Sequence, residues 1–419
     1  MNRIGMRIPT PLRRALVTLS VIVAFTGILS GCDSLFGSGS SSTSPVTTYT
    51  VTYLGNGNTG GAEPQDANVY QEGDAVTVLG NTGGLLKSGY DYLGWNTTAD
   101  RSGIRHVEGA TFTMPAEDVT LYAEWTDYRD MVLVPAGTYT QTYVDDDGET
   151  YGGFSHTLST FKMAKYAVTY DLWYSVRQWA QANGYTIEGA GQEGTHGTPG
   201  AAPTDGARYQ PVTAISWRDA IVWLNAYSEM EGLTPVYHSN ESHSAPIKNS
   251  TAADEHQEDA GSIDNPYVNW DADGFRLPTE GEWQYAAGYI DGTDRTDPAF
   301  ASGTTAGIEV EAATGAVAWY GTGEIRKVGT KAPNQLGIHD MSGNVTEWCW
   351  DWSWSNVTDP KNDYHGPADP TDDPPRRMVR GGSFGAHGDF LHCLRIGNRD
   401  SEPPWERPND FGLRPVRRP

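Results

Sequence analysis

Between residues 49 and 126 apolar and polar side chains alternate in short bursts, YTVTYL, AVTVL, YDYLGW and VTLYAEW, separated by turn-forming clusters such as GNGNTGG. Alternation of period two puts every second side chain on one face, as in a half-buried strand. This segment is therefore expected to be a small module of strands without a helix. From residue 131 the pattern changes: MVLVPAGTY gives one short strand, and helical spacing follows. Thr169 is placed to cap a helix reaching about Asn183 and stopped by Gly184, with Leu172, Val176, Trp179 and Ala180 on one face. Ser216 caps a second, WRDAIVWLNAYSEME, which buries Ala220, Trp223, Leu224 and Tyr227 and ends at Gly232. Thr279 and Glu282 form a capping box for a third, short helix whose packing side is Trp283, Ala286 and Ala287. Residues 239–273 are acidic and poor in apolar groups, which predicts a surface insertion; after Gly288 the pattern is mostly loop and short strand.

The first 31 residues follow a different rule. Arg3, Arg7, Arg13 and Arg14 form a basic leader without an acid, and ALVTLSVIVAFTGIL supplies an apolar run too short for a comfortable membrane span. The run ends at Leu29-Ser30-Gly31-Cys32, which resembles a bacterial lipobox. That resemblance implies cleavage, a lipid on Cys32 and a membrane-anchored protein of the bacterial cell envelope, with inner and outer membrane left open. Residues 32–48, rich in Gly, Ser and Thr, read as a flexible tether. The predicted order is leader 1–31, tether 32–48, strand module 49–126 and a large domain 130–419.

Composition narrows the partners. The 419 residues carry 53 acids against 29 Lys and Arg, a formal charge of −24. Cleavage before Cys32 removes four arginines and no acid, taking −24 to −28. Duplex nucleic acid needs a basic face and is excluded as a partner; cationic or neutral ligands are favoured. Three cysteines exclude a disulfide-dense scaffold, while 49 Gly and 25 Pro predict many loops and 14 Trp and 22 Tyr supply large buried areas.

Six segments taken together, MVLVPAGTY, PVTAISWRDAIVWLNAYSE, GFRLPTEGEWQYAA, LGIHDMSGNVTEWCWDW, RGGSF and FGLRPVR, resemble the formylglycine-generating enzymes, or sulfatase-modifying factors, over about Met131–Arg417. The resemblance implies an α+β, loop-rich variant of the C-type lectin fold. YTVTYLGNGNTGG, GYDYLGWNTTAD and FTMPAEDVTLYAEW resemble the Listeria–Bacteroides repeat, a small β-grasp-like module, which implies a spacer or stalk.

Matching the family residue by residue gives expectations for the site. A structural calcium falls on the side chains of Asp340 and Glu347 and the carbonyls of Gly343 and Val345, oxygen donors of the kind calcium takes. The same residues also read as a tight turn with Glu347 paired to a core arginine. The family oxidises its substrate with copper held between two cysteines in the loop after the GGS strand. Those positions fall on Ala386 and Leu391, so no copper and no formylglycine-generating activity are expected. Cys393 stands two residues late; with Cys349 it reads as a pair of buried thiols, a disulfide or a shifted redox pair. A superfamily relative holds iron on a histidine triad, but the histidines here lack its helical spacing, so no iron is expected. What remains is a loop, Gly385–His392, that could display Ala386, His387, Asp389, Phe390, Leu391 and His392 to a protein, peptide or glycan. Trp405 and Arg407 are expected to extend that patch. The opposing expectation is that Phe390 and Leu391 merely plug the former groove. Two other readings of the whole stay open: an enzyme of different chemistry on the same fold, and a ligand-binding loop diversified by a retroelement.

Overall fold

The computed structural model describes residues 46–419 apart from 88–89, 253–256 and 354–356. The leader, most of the tether and the lipidation site expected at Cys32 lie outside the described residues. Among the described residues no helix is long and apolar enough to cross a membrane.

The alternating segment forms the four strands it predicts and two short ones it does not, Arg105–His106 and Thr111–Thr113. They are β1 (Val51–Leu54), β2 (Ala75–Thr77), β3 (Tyr90–Asn96), β4 (Arg105–His106), β5 (Thr111–Thr113) and β6 (Val119–Asp127). One sheet runs β1-β6-β3-β4, with β1 and β6 parallel, and β2 and β5 make a separate antiparallel pair. The inward positions converge on Tyr53, Trp95, Leu121 and Trp125, and the Trp125 indole N–H is satisfied by the Gly55 carbonyl at 3.0 Å.

This module is docked, not strung out as a spacer. Tyr128, just past β6, stacks on Tyr209 of the large domain (4.6 Å between centroids, 27°) and meets Tyr166 edge-on (5.4 Å). Its hydroxyl donates to Asp91 Oδ2 at 2.5 Å, and Lys327 pairs with the same carboxylate. The Tyr209 hydroxyl donates to the Tyr90 carbonyl at 2.9 Å. Aromatic rings whose polar ends are hydrogen-bonded can be buried at a junction without stranding a donor.

In the large domain, β7 (Met131–Val134) and β10 (Phe161–Ala164) pair, while β8 (Gly137–Val144) and β9 (Thr150–Leu158) form a hairpin. Helix α1 (Tyr170–Ala182) starts at Thr169, whose side chain accepts from Leu172 N. It packs on α2 (Trp217–Met230), started by a capping box of Ser216 and Asp219, through the stacked pair Trp173 and Trp223 (5.4 Å, 7°). The two-residue strands β11 (Gln192–Glu193) and β12 (Val212–Thr213) pair between these helices, and β13 (Tyr237–His238) and β14 (Tyr267–Val268) follow. Helix α3 (Glu280–Ala287) has the expected capping box on Thr279 and Glu282. Short α4 (Glu311–Val317), which its Ala- and Gly-rich sequence does not announce, comes next.

The last sheet frames the site. It runs β18-β17-β15-β19, from β15 (Thr346–Trp352), β17 (Arg377–Arg380), β18 (Asp400–Glu402) and β19 (Phe411–Gly412). Strand β16 (Lys361–Asn362) joins β9, and β20 (Val416–Arg417) joins β10. Every residue of β15 is buried. On β17, Arg377 is enclosed by Trp352, Trp217 and Trp350, with its guanidinium carbon 3.4, 4.0 and 4.8 Å from the ring centroids. The acidic stretch 239–273 is not purely a surface insertion. Asp264 within it is fully buried and grips Arg218 through two bonds of 2.6 Å, because a buried carboxylate needs a buried cation.

Candidate functional site

The C-terminal loop is built outward from β17. Gly381 and Gly382 follow the strand with φ of +95° and +65°. A Cβ on Gly382 would lie 2.7 Å from Cys393 Sγ, so only glycine lets the returning chain pass this close. Ser383 Oγ then donates to Asp410 Oδ2 at 2.8 Å, tying the start of the loop to the segment before β19. Residues 388–394 are not the irregular loop their glycine-rich sequence suggests. They close into a 3₁₀ helix, η1 (Gly388–Leu394).

That turn sorts the predicted residues into two sets. Ala386 and Leu391 point inward: Ala386 is buried with Ala301, Ile308, Val317, Ala318 and Leu394, and Leu391 and Cys393 pack against the same cluster. His387, Asp389 and Phe390 point outward, Phe390 with 63% of its surface exposed. His392 is half-buried, its Nε2 3.2 Å from Asp146. Leu391 therefore packs inward while Phe390 does not. Ala386 is removed from the display surface by this packing, and Leu391 is half-covered by it.

Trp405 and Arg407 do not extend the patch. Arg218 lies over the Trp405 ring at 5.4 Å. Arg407 is bonded to buried Asp219 at 2.7 Å and to Glu188 at 2.9 Å. Both side chains are engaged at the start of α2, where Asp219 needs a counter-charge more than the surface needs a ligand.

The outward ridge stands between two hollows. One, of about 320 Å³, lies between the loop and the β17–β18 edge and is lined in part by Ser383, Phe390, Asp400, Glu402 and Asp410. Burial pushes the Glu402 carboxyl up, Arg376 at 3.7 Å pulls it down, and Asp400, Glu406 and Asp410 raise it again. The hollow is acidic and only partly neutralised. The second, of about 760 Å³, separates the loop from α4 and is lined by Ala312, Ala316, Tyr320, Lys331, His387 and Leu391 among others.

Most of the side chains that the resemblance assigns to metal are engaged in other contacts. Copper needs two thiolates, and the positions the resemblance implies for them, Ala386 and Leu391, lie in or against an apolar cluster. Cys349 and Cys393 are free thiols in two different clusters, not a disulfide or a relocated pair. Burial raises Cys349 well above the ordinary thiol range and raises Cys393 to about 11, so both stay protonated and inert at neutral pH. For calcium, Asp340 does offer a buried oxygen, Oδ1, without a partner. Glu347 does not. Both its oxygens accept from Arg414, at 2.6–3.0 Å, and Oε2 also accepts from Trp283 Nε1 at 2.8 Å. Within the set of Asp340, Gly343, Val345 and Glu347, the Glu347 carboxylate is thus held in an ion pair with Arg414, the arrangement of the tight-turn alternative. No group of three or more His, Cys, Asp or Glu suited to a metal ion occurs among the described residues.

Sequence reasoning missed the group that holds both ends of the loop. Glu280, fully buried at the start of α3, pairs with Arg380, the last residue of β17, at 2.9 Å. It also pairs with Arg399, just past η1, at 2.9 and 3.0 Å. Beside it Asp351 Oδ2 accepts from the Glu280 backbone N–H at 2.6 Å. Burial first, and the Glu280 charge second, push Asp351 up to about 8. A carboxyl raised by folding stabilises the native state most below its ordinary value near 3.8, and this contribution is lost as pH rises through about 8. Asp351→Asn is expected to flatten the fall in stability between about pH 4 and 8; an identical pH dependence in the variant would exclude Asp351 as its source.

The chain belongs to the sulfatase-modifying factor enzyme 1-like domain family, whose pattern matches residues 117–419, and residues 49–124 match the Listeria–Bacteroides repeat domain. Among curated relatives, the chaperone protein LppX of Paenibacillus barcinonensis is 31% identical over 252 residues, 56% of this chain and 75% of its own. The formylglycine-generating enzyme of Thermomonospora curvata is 31% identical over 160 residues, 35% of this chain. The match spans half of that enzyme's length. Among solved structures, Treponema denticola variable protein 1 superposes with a TM-score of 0.50 at 29% identity, covering 69% of this chain and 95% of its own.

Proposed function

We propose that this protein is a lipid-anchored binding module of the bacterial cell envelope, on a formylglycine-generating-enzyme scaffold that has given up oxidation. One observation carries the reading. At the two positions where the related enzymes need thiols, Ala386 and Leu391 turn inward to fill a core, while His387, Asp389 and Phe390 between and beside them turn out. A framework that holds a short turn in one shape lowers the entropy lost when that turn binds. The ligand is a polypeptide segment. The acidic hollow takes a basic side chain, Phe390 offers an apolar contact, and the likeness to a protein named as a chaperone supports a polypeptide as the bound class. Anchoring through Cys32 keeps this surface at the membrane.

The test is a peptide array probed with the purified protein and with a His387→Ala/Asp389→Ala/Phe390→Ala variant. The parent is expected to select peptides combining basic and aromatic residues, and the variant to bind them at least about tenfold more weakly at unchanged melting temperature. Equal binding by both proteins would reduce the ridge to a plug.

A further inference from the structure

Docking of the strand module on the large domain creates a second cleft, remote in sequence from the C-terminal ridge. It holds about 560 Å³. Leu86, Lys87 and Tyr90 line the module side, and Asp205, Arg208 and Tyr209 line the domain side. Past Tyr90 and Arg208, which line both spaces, lies a further hollow of about 390 Å³ walled in part by Tyr128 and Tyr174.

The walls are aromatic, but their polar groups have hydrogen-bonding capacity to spare. The Lys87 ammonium sits 4.5 Å over the Tyr90 ring, and its one hydrogen bond among the described residues is a 3.5 Å contact with the Asn56 carbonyl. Arg208 is oriented by Asp171 at 2.7 and 3.0 Å and reaches Asp205 at 3.4 Å. The Asp205 carboxylate is otherwise open to water. A three-donor ammonium on one wall thus faces a fixed guanidinium and an open carboxylate on the other, with tyrosine rings between them.

This chemistry selects a ligand. Charged groups on both walls disfavour a lipid tail, and the net charge of −24 disfavours a nucleic acid. A pyranose has a face of C–H groups that packs on aromatic and aliphatic carbon, and a rim of hydroxyls that both donate and accept. Two adjoining hollows suit a chain of such rings, and their sizes fall in the ordinary range of small-ligand sites. We propose that the cleft between the strand module and the large domain binds an oligosaccharide, with Lys87, Asp205 and Arg208 reading its hydroxyls and Tyr90 and Leu86 its carbon face. Both modules contribute, so the site exists only in the docked arrangement that Tyr128, Asp91 and Lys327 maintain.

The experiment is an array of immobilised neutral and uronate-bearing oligosaccharides, probed with the whole protein and followed by calorimetry on a soluble oligosaccharide that binds. Lys87→Ala, at a half-buried position, and Asp205→Ala, at an exposed one, are each expected to weaken sugar binding at least about tenfold. They should leave the melting temperature and any peptide binding at the ridge unchanged, and Phe390→Ala should leave sugar binding intact. Failure to bind any oligosaccharide, affinity indifferent to both cleft substitutions, or sugar binding lost with Phe390→Ala would each overturn the proposal. None of these results bears on peptide recognition by the ridge.

Discussion

Replacing Arg414 by alanine is expected to lower the free energy of unfolding by about 3–5 kcal/mol. Arg414 and Glu347 are essentially inaccessible and meet at 2.6 Å. The guanidinium also donates to the carbonyls of Ala164 and His339 at 3.0 and 2.9 Å, and Glu347 accepts from the Trp283 indole. One pair therefore joins the C-terminal segment to β10, β15, α3 and the turn at Asp340. Removing one partner leaves a charge buried with no counter-ion, which costs more than the pair itself is worth. Arg414→Lys should fall between alanine and the parent, because an ammonium cannot reproduce the planar fork. The double replacement Glu347→Leu/Arg414→Met should cost less than the sum of the single losses. Urea unfolding of these proteins together with the single replacements Glu347→Leu and Arg414→Met checks this; a loss below about 1 kcal/mol for Arg414→Ala would mean the pair is not buried as described.

Glu280→Ala is expected to be as damaging, also about 3–5 kcal/mol, and to reach the ridge as well as the core. Its carboxylate is the shared partner of Arg380 and Arg399, the residues that bracket the loop. Without it two guanidiniums compete for the remaining carbonyl acceptors. Arg380 keeps those of Ile396 and Asn398, but Arg399 loses both of its oxygen contacts with Glu280. The strand before η1 and the segment after it are then no longer fixed to one point. Glu280→Gln retains shape and one acceptor and should lose less. Hydrogen exchange is expected to show faster opening of residues 381–400 in Glu280→Ala; exchange confined to α3 would separate the core from the loop and contradict this coupling.

The helices were legible because their signals are local. Thr169, Ser216 and the Thr279–Glu282 box are side chains bonding to backbone a turn away, and the apolar spacing behind them names the buried face. The strand module was legible for a similar reason, alternation over six or seven residues. What could not be read depends on partners far along the chain. Asp264 sits in an acidic, hydrophilic stretch and looks solvated until Arg218, 46 residues before it, is seen to hold it. Glu280 has no local sign of its two arginines. The 3₁₀ turn at 388–394 is set by Leu391 and Leu394 reaching a cluster built from residues 301–318. Trp405 and Arg407 have the composition of a binding hot spot, but Arg218 and Asp219 engage them first. An ion pair of Glu347 with a core arginine was one of two readings of the same turn, and only the packing identifies that arginine as Arg414.

The central claim, a retained scaffold without the family's oxidation chemistry, is tested most directly by mass spectrometry of a CxPxR peptide incubated with the purified protein, copper and oxygen. The account predicts an unmodified cysteine. The resemblance puts the two thiol positions on Ala386 and Leu391, Cys393 is held protonated by burial, and Cys349 lies in a separate cluster. Appearance of a formylglycine aldehyde in that peptide, dependent on the folded protein, would contradict it.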